Sequence, residues 1–160
     1  METIPQEKID AIWEEALETP EDQAQDKVES MFQRQPAVAA FLLYIEEEMM
    51  PPEERGVILM IGYCILKAML PANQKSPQVT PEDLEAAEKK NVEMMEDLEG
   101  GELDWMNQGV AFIKNYRQGP LLSTVLESLM DGSEEQPEDG RDYVSMVLLS
   151  IKAVIDCLDR

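Results

Sequence analysis

The sequence predicts an all-α fold: about eight helices in a single compact bundle, with two very apolar helices, near residues 57–70 and 143–158, at its centre. Three observations predict it. Proline and threonine punctuate the chain at helix-length intervals, as helix starts do. Between these marks, apolar residues recur at three- and four-residue spacing. The two exceptional stretches are apolar on nearly every position, so each must be surrounded by other helices.

Each element follows in order. Thr3, Ile4 and Pro5 lead into a first helix reaching about Leu17, with Ile9, Ile12, Trp13 and Leu17 on one face. Thr19-Pro20-Glu21-Asp22 opens a second: threonine caps free N–H groups, proline suits the first turn, and the acids favour the positive end of the helix dipole. Its apolar positions are sparse, at Ala24, Val28, Met31 and Phe32. A third helix opens at Pro36 and carries Val38, Phe41, Leu42 and Ile45. Pro51-Pro52 ends it and begins the fourth, which runs to Leu70. Gly62 in the middle of that helix costs stability and suggests close approach by a neighbouring backbone.

Thr80-Pro81-Glu82-Asp83 repeats the cap chemistry and opens a fifth helix to about Leu98, with Leu84, Ala87, Asn91, Met94, Met95 and Leu98 facing inward. Gly100-Gly101 stops it. A sixth helix is expected over 103–117 with Trp105, Met106, Val110, Phe112, Ile113 and Tyr116. Pro120 opens a seventh with Leu122, Val125, Leu126 and Leu129. The last spans about 142–158, and Lys152 and Asp156, four residues apart, pair on its polar edge.

Two segments look alike. Gln35-Pro36 with Phe41, Leu42 and Ile45 parallels Gln118-Gly119-Pro120 with Val125, Leu126 and Leu129. Downstream, Val57, Met60 and Ile65 parallel Tyr143, Met146 and Ile151. The pattern suggests a duplicated helix hairpin within one domain, with pseudo-repeat halves at 1–70 and 81–160 and the fourth and eighth helices equivalent at the centre.

Composition narrows the chemistry. The chain has 160 residues, enough for one domain with a substantial core. Its net charge of −21, from 34 acidic against 13 basic residues, repels phosphate. Direct nucleic-acid binding through a basic face and contact with an anionic membrane are thereby disfavoured. No stretch reaches the ~20 apolar residues of a membrane span. Histidine is absent, which removes the commonest general base and a common metal ligand. Cys64 and Cys157 both fall in apolar helical stretches and read as buried free thiols of a cytoplasmic protein.

The candidates for chemistry are carboxylates. Glu14-Glu15-Ala16-Leu17-Glu18 places acids on one helical face, as a hard cation requires. This spacing resembles the Glu-Glu-x-x-Glu of the all-α nucleoside triphosphate pyrophosphohydrolases. That resemblance implies magnesium held by helical carboxylates, but the family's completing Glu-x-x-Asp does not follow Glu18. Glu46, Glu47 and Glu48 occupy the last turns of the third helix, where the dipole disfavours them, and Glu53 and Glu54 lie just beyond. They read either as a solvated acidic tip or as a site for a divalent cation or basic side chains. Met49-Met50 and Met94-Met95 suit a core or an adaptable surface, and Trp13 and Trp105 read as core anchors. Lys67 and Lys152 read as snorkelling stems, with a desolvated nucleophile as the other reading.

No catalytic residue, cofactor or metal ligand is assigned. The reading is a non-catalytic acidic interaction module for a basic protein partner or a second copy of itself. The alternative is a magnesium-dependent all-α hydrolase using Glu14, Glu15 and Glu18 or the carboxylates of 46–54.

Overall fold

The structure, a computed structural model, describes residues 2–54, 56–70, 77–98, 113–133 and 140–159. Its α-helices are α1 (Gln6–Glu18), α2 (Glu21–Phe32), α3 (Pro36–Met49), α4 (Val57–Met69), α5 (Pro81–Leu98), α6 (Gly119–Ser133) and α7 (Gly140–Leu158), with a 3-10 turn at Pro52–Glu54. Residues 113–115 are also helical, and no strand occurs among the described residues. The fold is all-α. The helix expected at 103–117 falls mostly outside the described residues, and the chain already turns at 116–118.

The helix expected from Pro52 to Leu70 is interrupted. Gly56 adopts φ 100°, in the left-handed region, and separates the 3-10 turn from α4. The two Thr-Pro-Glu-Asp runs also behave differently. Thr80 and Asp83 form a reciprocal capping box, Asp83 N–H to Thr80 Oγ1 and Thr80 N–H to Asp83 Oδ2, both 3.1 Å. Thr19 does not cap α2. Its N–H and its hydroxyl both donate to the Glu15 carbonyl, at 3.0 and 2.6 Å, which makes it the C-terminal cap of α1. With α2 starting at once, the same four residues are claimed by the helix before them.

The core is continuous across the chain. Ile9 and Ile12 of α1, Val38, Leu42 and Ile45 of α3, Ile58, Ile61 and Ile65 of α4, Leu121, Leu122, Val125 and Leu129 of α6, and Val147, Ile151 and Ile155 of α7 belong to one buried cluster. α1, α2 and α3 pack on α4; α5 and α6 pack on α7. α1 also meets α6, α3 meets α5 and α7, and α4 meets both α6 and α7. Gly62 admits a side chain, not a backbone: a Cβ there would stand 2.5 Å from Leu42 Cδ1. Among the described residues no helix is long and apolar enough to cross a membrane.

Two buried glutamines bind main chain at a distance. Gln35 Oε1 accepts from Val79 N–H at 3.0 Å and its Nε2 donates to the Pro77 carbonyl at 3.1 Å. Gln118 Oε1 accepts from Ile4 N–H at 3.1 Å and its Nε2 donates to the Glu2 carbonyl at 3.0 Å and to Asp159 Oδ1 at 3.2 Å. Neither glutamine is accessible to solvent.

Two glycines test this backbone. Gly56→Ala is expected to destabilise by about 1–2 kcal/mol because an L residue is strained at that φ. Gly119→Ala forces a Cβ to within 2.4 Å of the Ile113 carbonyl oxygen. Backbone cannot swing aside as a side chain does, so a loss of about 1–3 kcal/mol is expected there. Denaturant midpoints at unchanged m-value measure both.

Candidate functional site: an apolar groove with acidic rims

α4 is apolar on all sides, but its neighbours cover it incompletely. α2 supplies only short or widely spaced apolar side chains, and α3 turns Ala39, Ala40 and Leu43 toward the same space. The result is an open groove of about 1060 Å³. Ala24, Val28 and Phe32 of α2 form one wall, Pro36, Ala39, Ala40 and Leu43 of α3 the other, and Leu59, Met60 and Tyr63 of α4 the floor. Leu59 and Met60 are half-buried, and Leu43 is 44% exposed. Ala16 and Thr19, from the end of α1 onward, also line it.

Its charged borders are mostly acidic. Glu21 and Glu29 line it from α2, and Glu47 stands exposed one turn beyond Leu43 on α3. The cation that lines it, Lys27, lies 3.7 Å from Glu15. Lys67 of α4 also reaches Glu15, at 2.6 Å, with its ammonium 5.8 Å from the Tyr63 ring centroid. The Lys67 hydrogen bond and charge lower the Glu15 pKa. Burial pulls Lys67 down, but Glu15 and Tyr63 outweigh it and the net shift is upward.

Of the carboxylates expected at a solvated acidic tip, Glu46 alone among those described is buried. It is 7% exposed and accepts the Gly56 N–H on Oε1, at the positive end of the α4 dipole. No described group bonds its Oε2. Glu47 and Glu48 are exposed and Glu54 is half-buried, while the side chain of Glu53 lies outside the described residues. Glu14, Glu15 and Glu18 are likewise exposed, and Glu15 is engaged by two lysines. Among the described residues no three acidic or thiol groups are gathered to hold a metal ion.

A second polar cluster lies between α5 and α7. Lys152, expected on a polar edge, is 7% exposed. Its ammonium donates to Asn91 Oδ1 and Asp156 Oδ2, both at 2.7 Å, and sits 4.9 Å from the Tyr116 ring centroid. The Tyr116 hydroxyl donates to Asp156 Oδ1, and burial, reinforced by that carboxylate, raises the phenol's pKa. The Lys152–Asp156 pair foreseen in the sequence is present, but it is an internal tie, not a surface one. A small cavity of about 640 Å³ opens beside it.

The other described candidates are buried or half-buried. Trp13 is buried and donates from Nε1 to Ser128 Oγ at 3.1 Å, tying α1 to α6. Met50 is buried, Met49 and Met94 are half-buried, and Trp105 lies outside the described residues. Cys64 and Cys157 are free and buried, and burial pushes the Cys64 thiol up to about 12. Sequence reasoning missed the groove and the roles of Gln35, Gln118 and Asn91. A glutamine beside a proline-marked helix start, occurring twice, was the available signal for the first pair.

No family model matches this chain, and no curated protein and no solved structure matches it significantly.

Two outcomes follow from the lysines. Lys152→Met leaves Asp156 and Asn91 without their cation and is expected to cost about 3 kcal/mol. Lys67→Met, at a half-exposed pair, is expected to cost at most about 1 kcal/mol. Glu15→Gln adds a pH signature. Because the folded-state pKa of Glu15 lies below its unfolded value, its contribution is full above the usual carboxylate range and disappears as pH falls through the folded pKa. Wild type and Glu15→Gln should therefore differ in urea midpoint at neutral pH and converge in acid.

Proposed function

We propose that the protein is a non-catalytic docking module whose groove takes an amphipathic helix with basic edges from a partner protein. The observation that carries this reading is the open apolar trough floored by Leu59 and Met60, set in a chain of net charge −21. A helix laid in such a groove anchors apolar side chains at i, i+3 or i+4, and i+7. Small residues on the walls, Ala24, Ala39 and Ala40, leave room for those anchors. Lysines or arginines flanking the apolar stripe then meet Glu21 and Glu29 on the α2 rim, with exposed Glu47 one turn past Leu43 on α3 within reach of a longer helix. Such charges speed encounter and select the partner more than they add affinity.

The same charge argues for a foreign partner over a second copy of the chain, since two copies at −21 repel. Two free, buried cysteines suit a reducing compartment such as the cytoplasm.

A model helix of leucine and lysine, and its leucine–glutamate counterpart, test the reading by fluorescence anisotropy. The lysine peptide is expected to bind saturably and to weaken with added salt, while the glutamate peptide does not bind. Ala40→Trp fills the groove from an exposed position, so folding is preserved, and it should weaken the lysine peptide by about tenfold or more, about 1.4 kcal/mol. Equal binding of the two peptides, no effect of Ala40→Trp, or self-association through the groove in sedimentation would each reject the proposal.

A further inference from the structure

We infer that Gln35 and Gln118 are two copies of one peptide-docking site, and that the chain consists of two related units, each holding the arm that leads into the other's first helix. The hydrogen bonds carry it. Each glutamine offers its carboxamide oxygen to the N–H of a buried β-branched residue, Ile4 or Val79, and its nitrogen to the carbonyl two residues earlier, Glu2 or Pro77. A carboxamide supplies one acceptor and two donors in a fixed plane. It therefore serves the arm as the peptide group of an adjacent strand would. The ligand is a non-helical segment presenting a carbonyl, then an N–H belonging to an apolar residue, just ahead of a proline.

The exchange is reciprocal. Gln35 stands immediately before α3 and binds the arm that enters α5. Gln118 stands immediately before α6 and binds the arm that enters α1. Replacing α1 by α5, α3 by α6 and α4 by α7, and the reverse, maps the packings of these six helices described above onto one another: α1 on α4 becomes α5 on α7, α1 on α6 becomes α5 on α3, α3 on α4 becomes α6 on α7, α3 on α7 becomes α6 on α4, and α4 on α7 maps onto itself. Burial keeps the same register. Ile9 matches Leu84, Val38 matches Leu121, Leu42 matches Val125, and Ile58, Ile61 and Ile65 match Val144, Val147 and Ile151, all of them buried. The α3–α6 match is displaced by one residue from the pairing of Leu42 with Leu126 that the sequence suggested. The two glutamines set it, and in this register Ile45 falls opposite the half-buried Ser128.

Amide hydrogen exchange on the full chain tests the inference. Gln118→Leu should accelerate exchange at Ile4 by roughly ten- to a hundredfold, the loss of one buried hydrogen bond, with Val79 unchanged. Gln35→Leu should do the reverse. Transposing the arms (Glu2→Pro, Thr3→Gln and Ile4→Val together with Pro77→Glu, Gln78→Thr and Val79→Ile) should leave both amides protected, because the two sites accept the same class of segment. Unaltered protection at the arm facing a substituted glutamine overturns the inference. So does equal acceleration at both arms in either single variant, or loss of protection at either arm after transposition.

Discussion

The demand to keep α4 out of water organises this protein. A thirteen-residue helix whose one charged side chain is Lys67 has no face that water tolerates well, and burying its apolar side chains is worth ~1.5–3 kcal/mol each. α1, α2 and α3 wrap it, α6 and α7 close over it, and Gly62 lets Leu42 settle against its axis. Lys67 escapes at the edge, where Glu15 receives it. The groove is what remains of that demand once the chain has run out of cover, because α2 carries too few large side chains to finish the task.

A second constraint comes from main chain. Where a short non-helical segment passes into the interior, its N–H and carbonyl groups need partners or cost free energy. Helices have none to give away along their length, so side chains answer: Gln35 and Gln118 for the two arms, Glu46 for the Gly56 N–H at the start of α4. Polar residues that look idle in a list of side chains turn out to be replacements for missing backbone partners. In the Lys152, Asn91, Asp156 and Tyr116 cluster the side chains mainly bond one another, Asn91 also donating to the Leu149 carbonyl at 3.4 Å, and together they stitch α5 to α7.

What could be read in advance follows the same division. Helix positions and the core residues Leu42, Ile45, Val125 and Ile151 were legible because periodicity is a local property of the chain. Thr80 was legible as a cap, whereas the identical Thr19 was misread because the preceding helix claims it. Glu46 was misread because nothing in three consecutive glutamates says which one turns inward; the Gly56 amide ten residues on decides it. The groove was invisible for a related reason. An all-round apolar helix predicts burial, and whether its neighbours are bulky enough to deliver it depends on packing across four elements. The glutamine contacts left one trace, the glutamine repeated beside a proline-marked helix start, but their partners are far away in sequence and could not be read from it.

That distance has a temporal side. Ile4 and Gln118 are separated by 114 positions. On a ribosome adding ~5–20 residues per second, the segment ahead of α1 waits roughly 6–23 s for its receptor to be made. α1 can coil and begin to associate with α4 during that interval, yet its leading end stays undocked until the second half has been synthesised. Topologies closed by such remote contacts fold slowly for their size. The clasp that seals the molecule is therefore among the last to shut, and translation speed itself becomes a variable in how cleanly the protein matures.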